Sequence, residues 1–284
     1  MSKTGLVLEG GGLRGVFTGG AIDCFLDKKI DFDYVIGVSA GSCNTFAYVG
    51  RQRGYVRSCM IQKDPANSFW GVRQMVESHK FVDLDKVFYD YTEQYNFDFN
   101  KFVANPVEWE MVVSNIETGK AEYMTTKDIE TSRIIGKASC SMPGLTEPVE
   151  INGQHYIDGG ICDSIPIQRA LDQGCERLVI ILTRKKGNYS RFNEPTLMLF
   201  HRIYRNYPEL IKALEGRNKL YHDQVDFAEQ LEAEGKAIII RPTMQEVSRL
   251  ESNEDELMMS YYHGYTKAKE YIEAIHQFME YNEK

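Results

Sequence analysis

Two stretches decide the fold: Thr4-Gly5-Leu6-Val7-Leu8-Glu9-Gly10-Gly11-Gly12-Leu13-Arg14-Gly15, and then Tyr34-Val35-Ile36-Gly37-Val38-Ser39-Ala40-Gly41. Each is an apolar run of strand length that gives way to small residues and then to an amphipathic helical pattern. The order strand, glycine turn, helix, strand, serine turn, helix implies an α/β protein with a parallel sheet. A serine at a sharp strand-to-helix turn has its hydroxyl at the carboxyl end of the sheet, where open α/β folds place their ligands. Ser39 is therefore the candidate nucleophile. Gly37 and Gly41 on either side lack a Cβ, which suits a strained turn and a helix packed close to its strand. The competing role for Ser39 is a helix N-cap.

The pattern continues outward from these turns. Helices are expected near 14–28 and 40–62, followed by an aromatic-rich insertion at 63–109 whose rings pack a helical lobe, line an acyl pocket or form a lid. Strands at 110–115 and 121–125 flank the turn Glu117-Thr118-Gly119-Lys120. A helix over 127–138 precedes a loop from Ser139 to Pro148. A hairpin of 149–151 and 155–157 around Asn152-Gly153 ends in Asp158-Gly159-Gly160. Pro166 and Gly174 bracket a helix, and 177–183 reads as a buried strand. Residues 1–190 form the expected catalytic core. Residues 191–284 read as mostly helical with one late strand near 237–241, packed on the same domain.

The 284 residues carry a net charge of -8, with 43% hydrophobic and 26% charged side chains. That composition fits a compact enzyme-like domain and excludes a disordered chain. An acidic balance without a basic stripe speaks against nucleic acid as a partner. Six cysteines stand singly, without CxxC or Cys/His ligand spacing, so neither zinc nor a disulfide framework is indicated. A reducing, cytoplasmic location is expected. The apolar run at the start is too short for a signal peptide, and no run reaches membrane-spanning length.

Gly10, Gly12 and Gly15 also satisfy GxGxxG, the turn of a dinucleotide site. That site asks for an acidic residue at the end of the second strand, and here the strand ends in Gly37-Val38-Ser39. A nucleotide-binding regulatory module is the alternative on this turn. A serine needs a base to take its proton. None of the six histidines follows a late strand as a hydrolase triad requires. His155 lies an odd number of residues from Asp158 on one strand, so the two point to opposite faces. Asp158 closes a strand with two glycines behind it; a plain β-turn aspartate is its other reading.

Gly10-Gly11-Gly12-Leu13-Arg14-Gly15, Gly37-Val38-Ser39-Ala40-Gly41 and Asp158-Gly159-Gly160, in this order, resemble the motifs of the patatin-like phospholipases, bacterial type, over residues 4–183 with the later strand at 237–242. The resemblance implies a three-layer α/β/α fold with a central, mostly parallel sheet. It also implies hydrolysis of lipid acyl esters by a Ser-Asp dyad, with no metal and no cofactor. Ser39 would be the nucleophile and Asp158 its base. The Gly10-Gly11-Gly12 turn would form the oxyanion hole through the N–H groups of Gly11 and Gly12, at a helix start that favours negative charge. Asp158 must then be shielded from water to be basic enough. Arg14 would position the glycine loop or an anionic headgroup, or simply face outward. Gly15, Gly159 and Gly160 complete the motifs. Glu9 is expected to turn its side chain away from the oxyanion site. The implied partner is a lipid or acyl ester reached by peripheral contact with a membrane, and a non-catalytic lipid binder is the remaining alternative.

Overall fold

A computed structural model describes residues 3–62, 64, 67–189 and 191–280. The chain begins with β1 (Lys3–Leu8), α1 (Gly15–Asp27), β2 (Tyr34–Val38), α2 (Ala40–Val49) and α3 (Tyr55–Met60). The short helices α4 (Val72–Ser78), α5 (Tyr91–Gln94) and α6 (Phe99–Ala104) lead to β3 (Glu108–Asn115) and β4 (Ala121–Met124). Then come α7 (Ile129–Cys140), β5 (Val149–Ile151), β6 (Gln154–Asp158), α8 (Ile167–Asp172) and β7 (Cys175–Ile181). The chain closes with α9 (Glu194–Ile203), α10 (Pro208–Ala233), β8 (Ala237–Ile240) and α11 (Glu254–Glu280).

Eight strands form one sheet in the order β5-β6-β3-β2-β1-β7-β8, with β4 also on β3. The strands β1, β2, β3, β7 and β8 run parallel, while β4 and β6 pair antiparallel to β3, and β5 antiparallel to β6. Alternation along the strands supplies both faces. Leu6, Leu8, Val35 and Ile181 pack against Phe17 and Phe25 of α1, Phe46 of α2 and Ile275 of α11. Val7, Ile36, Leu178 and Ile180 are covered by Ile167 of α8 and by Val225 and Leu231 of α10. The fold is the expected α/β sandwich of three layers.

The late elements belong to that sandwich. β8 extends the sheet beside β7, and α11 lies against α1 at a backbone-to-backbone crossing. A Cβ at Gly20 would stand 1.9 Å from the Tyr261 carbonyl oxygen, and one at Gly264 would stand 1.9 Å from that of Phe17. Asp23 ties the crossing down: it accepts from the Gly54 N–H at 2.9 Å and from the Tyr261 hydroxyl.

Some boundaries differ from the sequence reading. The single helix expected over 40–62 is two, because the chain turns at Gly50 and again at Gly54, whose φ is +77°. Ser139 is the penultimate residue of α7 and not the start of a loop. The strand placed at 177–183 runs from Cys175 to Ile181, and β3 already begins at Glu108, inside the expected insertion. Most rings of that insertion serve packing: Phe97 and Phe102 each lie 4.7 Å from the Phe46 ring. The helical region was expected to reach residue 284; residues 281–284 lie outside the described ones.

Gly264→Ala gains helix propensity yet forces a methyl group into the α1 backbone. We expect a net loss of about 1–3 kcal/mol in urea denaturation; a stability equal to or above wild type would contradict the close crossing.

Candidate active site

Sheet register brings the motifs together. β2 ends at Val38 opposite Val112, and β6 ends at Asp158 opposite Val113, so two distant strand ends converge on adjacent residues of β3. At that point the Ser39 hydroxyl donates to Asp158 Oδ2 at 2.7 Å. Ser39 has φ 55° and ψ −122°, a backbone state that side chains other than glycine rarely adopt. Strain of this kind needs surrounding support. The hydroxyl of Ser139 supplies part of it by accepting from the Ser39 N–H at 3.0 Å and donating to the Val112 carbonyl at 2.6 Å. Gly41 supplies another part, since a Cβ there would stand 2.2 Å from the Leu8 carbonyl oxygen.

Asp158 is 8% exposed. Its Oδ1 accepts from the Gly160 N–H at 2.8 Å. Burial raises its pKa above the ordinary carboxylate value, against the opposing pull of Ser39, the Gly160 N–H, Arg249 and Arg217. Both oxygens are thus engaged and aimed.

A cavity of about 640 Å³, counted out to its mouth, opens over this pair. Gly10, Gly11, Gly12, Arg14, Ser39, Asp158 and Gly160 line it, while Gly15, Gly37, Gly41 and Gly159 pack against Ala40, Thr45, Leu8 and Val112. Gly12 has φ +59°. Among the described residues the N–H groups of Gly11 and Gly12 have no acceptor. A second, apolar cavity of about 460 Å³ shares Gly12, Ser39 and Met142 with the first and runs on between Cys43, Met60, Phe69 and Val87. Phe69 and Val87 are thus the points where the expected insertion reaches this apolar pocket.

Glu9 lies at the edge of the cavity with its carboxylate turned to β7 and α10, accepting from the Thr183 N–H and the Tyr221 hydroxyl. His155 faces Glu117 at 3.3 Å, away from Asp158, and no histidine lines the cavity among the described residues. No group of three or more His, Cys, Asp or Glu that could hold a metal occurs among them either. Arg14 is drawn inward, 6% exposed, where burial and the neighbouring Arg184 and Arg249 lower its pKa to about 10. Sequence reasoning missed Ser139, Arg217 and Arg249. None carries a local motif, and only the fold brings them to the serine.

A family model described as patatin-like phospholipase matches residues 6–171. The chain belongs to the patatin-like phospholipase family. A second model, described as a domain of unknown function, matches residues 207–280. Among relatives of this patatin-like chain, the uncharacterized protein YjjU of Escherichia coli (strain K12) is 30% identical over 64% of this chain and 52% of its own length. Lysophospholipase NTE1 of Saccharomyces cerevisiae is 25% identical over 87% of this chain, which spans only 15% of that protein. Among solved structures, VipD from Legionella pneumophila superposes with a TM-score of 0.53 over 96% of this chain and 67% of its own, at 12% identity. That likeness shows the shared fold.

Ser139→Ala leaves the Ser39 N–H and the Val112 carbonyl without their buried partner. We expect a loss of about 1–3 kcal/mol in chemical denaturation; an unchanged midpoint would show that Ser139 does not brace the turn.

Proposed function

We propose that this patatin-like chain is a serine hydrolase of lipid carboxylic esters, phospholipid or lysophospholipid, working through a Ser-Asp dyad and an acyl-enzyme. The observation that carries it is the 2.7 Å hydrogen bond from Ser39 Oγ to a buried Asp158, at the junction of a cavity of mixed lining, which holds the arginines along with Ile161, Phe192 and Phe200, and an apolar one. As Asp158 takes the proton, Ser39 Oγ attacks the ester carbonyl carbon. The carbonyl oxygen, now negative, meets the N–H groups of Gly11 and Gly12, which are fixed before the reaction and so cost no reorganisation. Collapse of the tetrahedral species expels the alcohol, which recovers the proton from Asp158 and leaves an ester on Ser39. Water deprotonated by Asp158 then attacks that ester, releasing the fatty acid and returning the proton to Ser39.

Burial is what makes a carboxylate adequate for this work. A raised pKa strengthens Asp158 as a base, while the strained serine turn keeps Oγ in line with it. A lipid-binding protein without activity would have no use for that alignment. Met198, Leu199 and Ile203 are exposed on α9, next to the cavity-lining Phe200, and support entry from a lipid surface. No helix among the described residues is long and apolar enough to cross a membrane, so contact would be peripheral. The six cysteines are free thiols, in keeping with a reducing cytoplasm.

A fluorophosphonate probe should label wild type and leave Ser39→Ala unlabelled; equal labelling would sink the proposal. Asp158→Asn should lower kcat by about a thousandfold or more on a short-chain ester.

Asp158 must be ionised to act, so kcat/KM should fall as pH drops through its raised pKa, with an inflection above the usual carboxylate value of about 4. The same shift has the opposite sign for stability. The folded protein holds this proton more tightly than the unfolded chain, so ionising Asp158 costs stability as pH rises between the two values. Asp158→Asn should therefore melt at or above the wild-type temperature at neutral pH, and a clearly lower melting point would argue against a destabilised carboxylate.

A further inference from the structure

The segment of unknown function at 207–280 reaches the cavity from two sides. α10 brings Arg217, 7% exposed, whose Nε donates to the Gly160 carbonyl at 2.8 Å. Gly160 in turn donates its N–H to Asp158, which fixes Arg217 beside the dyad. The connection from β8 to α11 brings Arg249, whose carbonyl accepts from the Leu13 N–H at 3.0 Å. The Arg249 side chain lies on the glycine turn, so close that a Cβ at Gly12 would stand 2.7 Å from its Cγ. Arg14 joins them from the first turn of the chain, with its buried Nε lacking an acceptor among the described residues.

These three guanidiniums line one cavity with two carboxylates, Glu9 and Asp158. Both carboxylates already accept bonds from other groups: Glu9 from Thr183 and Tyr221, Asp158 from Ser39 and Gly160. A fourth guanidinium, Arg184, stands within electrostatic reach of Arg14 and Arg249. Like charges held together out of water repel, and an anion placed among them would relieve the repulsion. Burial and Arg249 lower the Arg217 pKa to about 10, which leaves it charged at neutral pH.

The shape of the site selects among anions. Ser39 stands where the two cavities meet, so an acyl chain in the apolar arm leaves the alcohol side of the ester among the arginines. Several forked N–H donors match the tetrahedral oxygens of phosphate. We propose that Arg217 and Arg249 of the C-terminal segment, with Arg14, form a phosphate subsite, so that the ester cleaved at Ser39 belongs to a lipid carrying phosphate on its alcohol side. This rests on the hydrolase reading above, and it gives the segment of unknown function a part in substrate choice.

The test compares monooctanoylglycerol with its phosphate monoester, using the full chain as wild type, Arg249→Gln and Arg249→Lys. Wild type should favour the phosphate ester by about tenfold or more in kcat/KM, the effect of one charge-assisted contact. Arg249→Gln should shrink that preference by about tenfold, chiefly through KM, and Arg249→Lys should retain most of it. An equal loss on both substrates would overturn the subsite, because the arginine then serves Asp158 or the fold. Cleavage of the neutral ester without preference would overturn the subsite and leave the hydrolase standing. If neither ester is cleaved, the hydrolase reading fails, and calorimetry with glycerol 3-phosphate decides the subsite. Binding weakened by Arg249→Gln supports it, and no binding overturns it. Inorganic phosphate inhibiting at lower concentration than the lipid's KM would assign the arginines to free phosphate and overturn the lipid assignment.

Discussion

The structure depends on one constraint: β3 must hold the end of β2 and the end of β6 at Val112 and Val113, adjacent residues. A slip of one residue in either pairing would turn the strand's side chains to the opposite face and separate Ser39 from Asp158. The hydrophobic alternation that buries Val35 on one face and Ile36 on the other therefore also sets the geometry of the candidate site. Ser139 reinforces the same point, bonding the serine turn and the Val112 carbonyl through one hydroxyl. Packing and chemistry share a register.

The second theme is buried charge. Asp158, Glu9, Arg14 and Arg217 are each more than nine-tenths buried. Burying ions is costly unless partners or ligands compensate. For Glu9 the partners are visible in Thr183 and Tyr221. For Asp158 the cost serves the proposed role of base; Arg217 donates to the Gly160 carbonyl, and the proposed phosphate would add a countercharge to the arginine cluster. The C-terminal segment is bound into this arrangement at the Leu13 N–H, at Gly160 and along the α1–α11 crossing. The backbone carbonyl of Arg249 holds the glycine turn at the Leu13 N–H.

Much of the site was legible in local pattern. Gly10 to Gly15, Gly37 to Gly41 and Asp158 to Gly160 each announce a turn at a strand end, because only small residues tolerate such close backbone approach. His155 could be set aside by strand parity alone, and the structure finds it against Glu117. Other features left no trace in local pattern. Ser139 looked like the start of a loop because Pro143-Gly144 follows it, yet α7 runs on to Cys140 and turns the hydroxyl inward. Arg14 could equally have been a surface residue on a helix. Arg217 and Arg249 lie in helical and irregular sequence with nothing to separate them from solvated charges.

The sequence by itself determined the order of strands and helices, the three turns that can approach a ligand, and the family to which the chain belongs. These are properties of short segments, set by hydrophobic periodicity and by residues without Cβ. The tertiary structure decided the geometry in which Asp158 meets Ser39, and it alone decided that the apolar arm begins at the serine and that two arginines from the last eighty residues enter the same cavity. Those are contacts across long separations, fixed by sheet register and helix crossing. No local pattern encodes them, because the packing of the whole chain brings such side chains together.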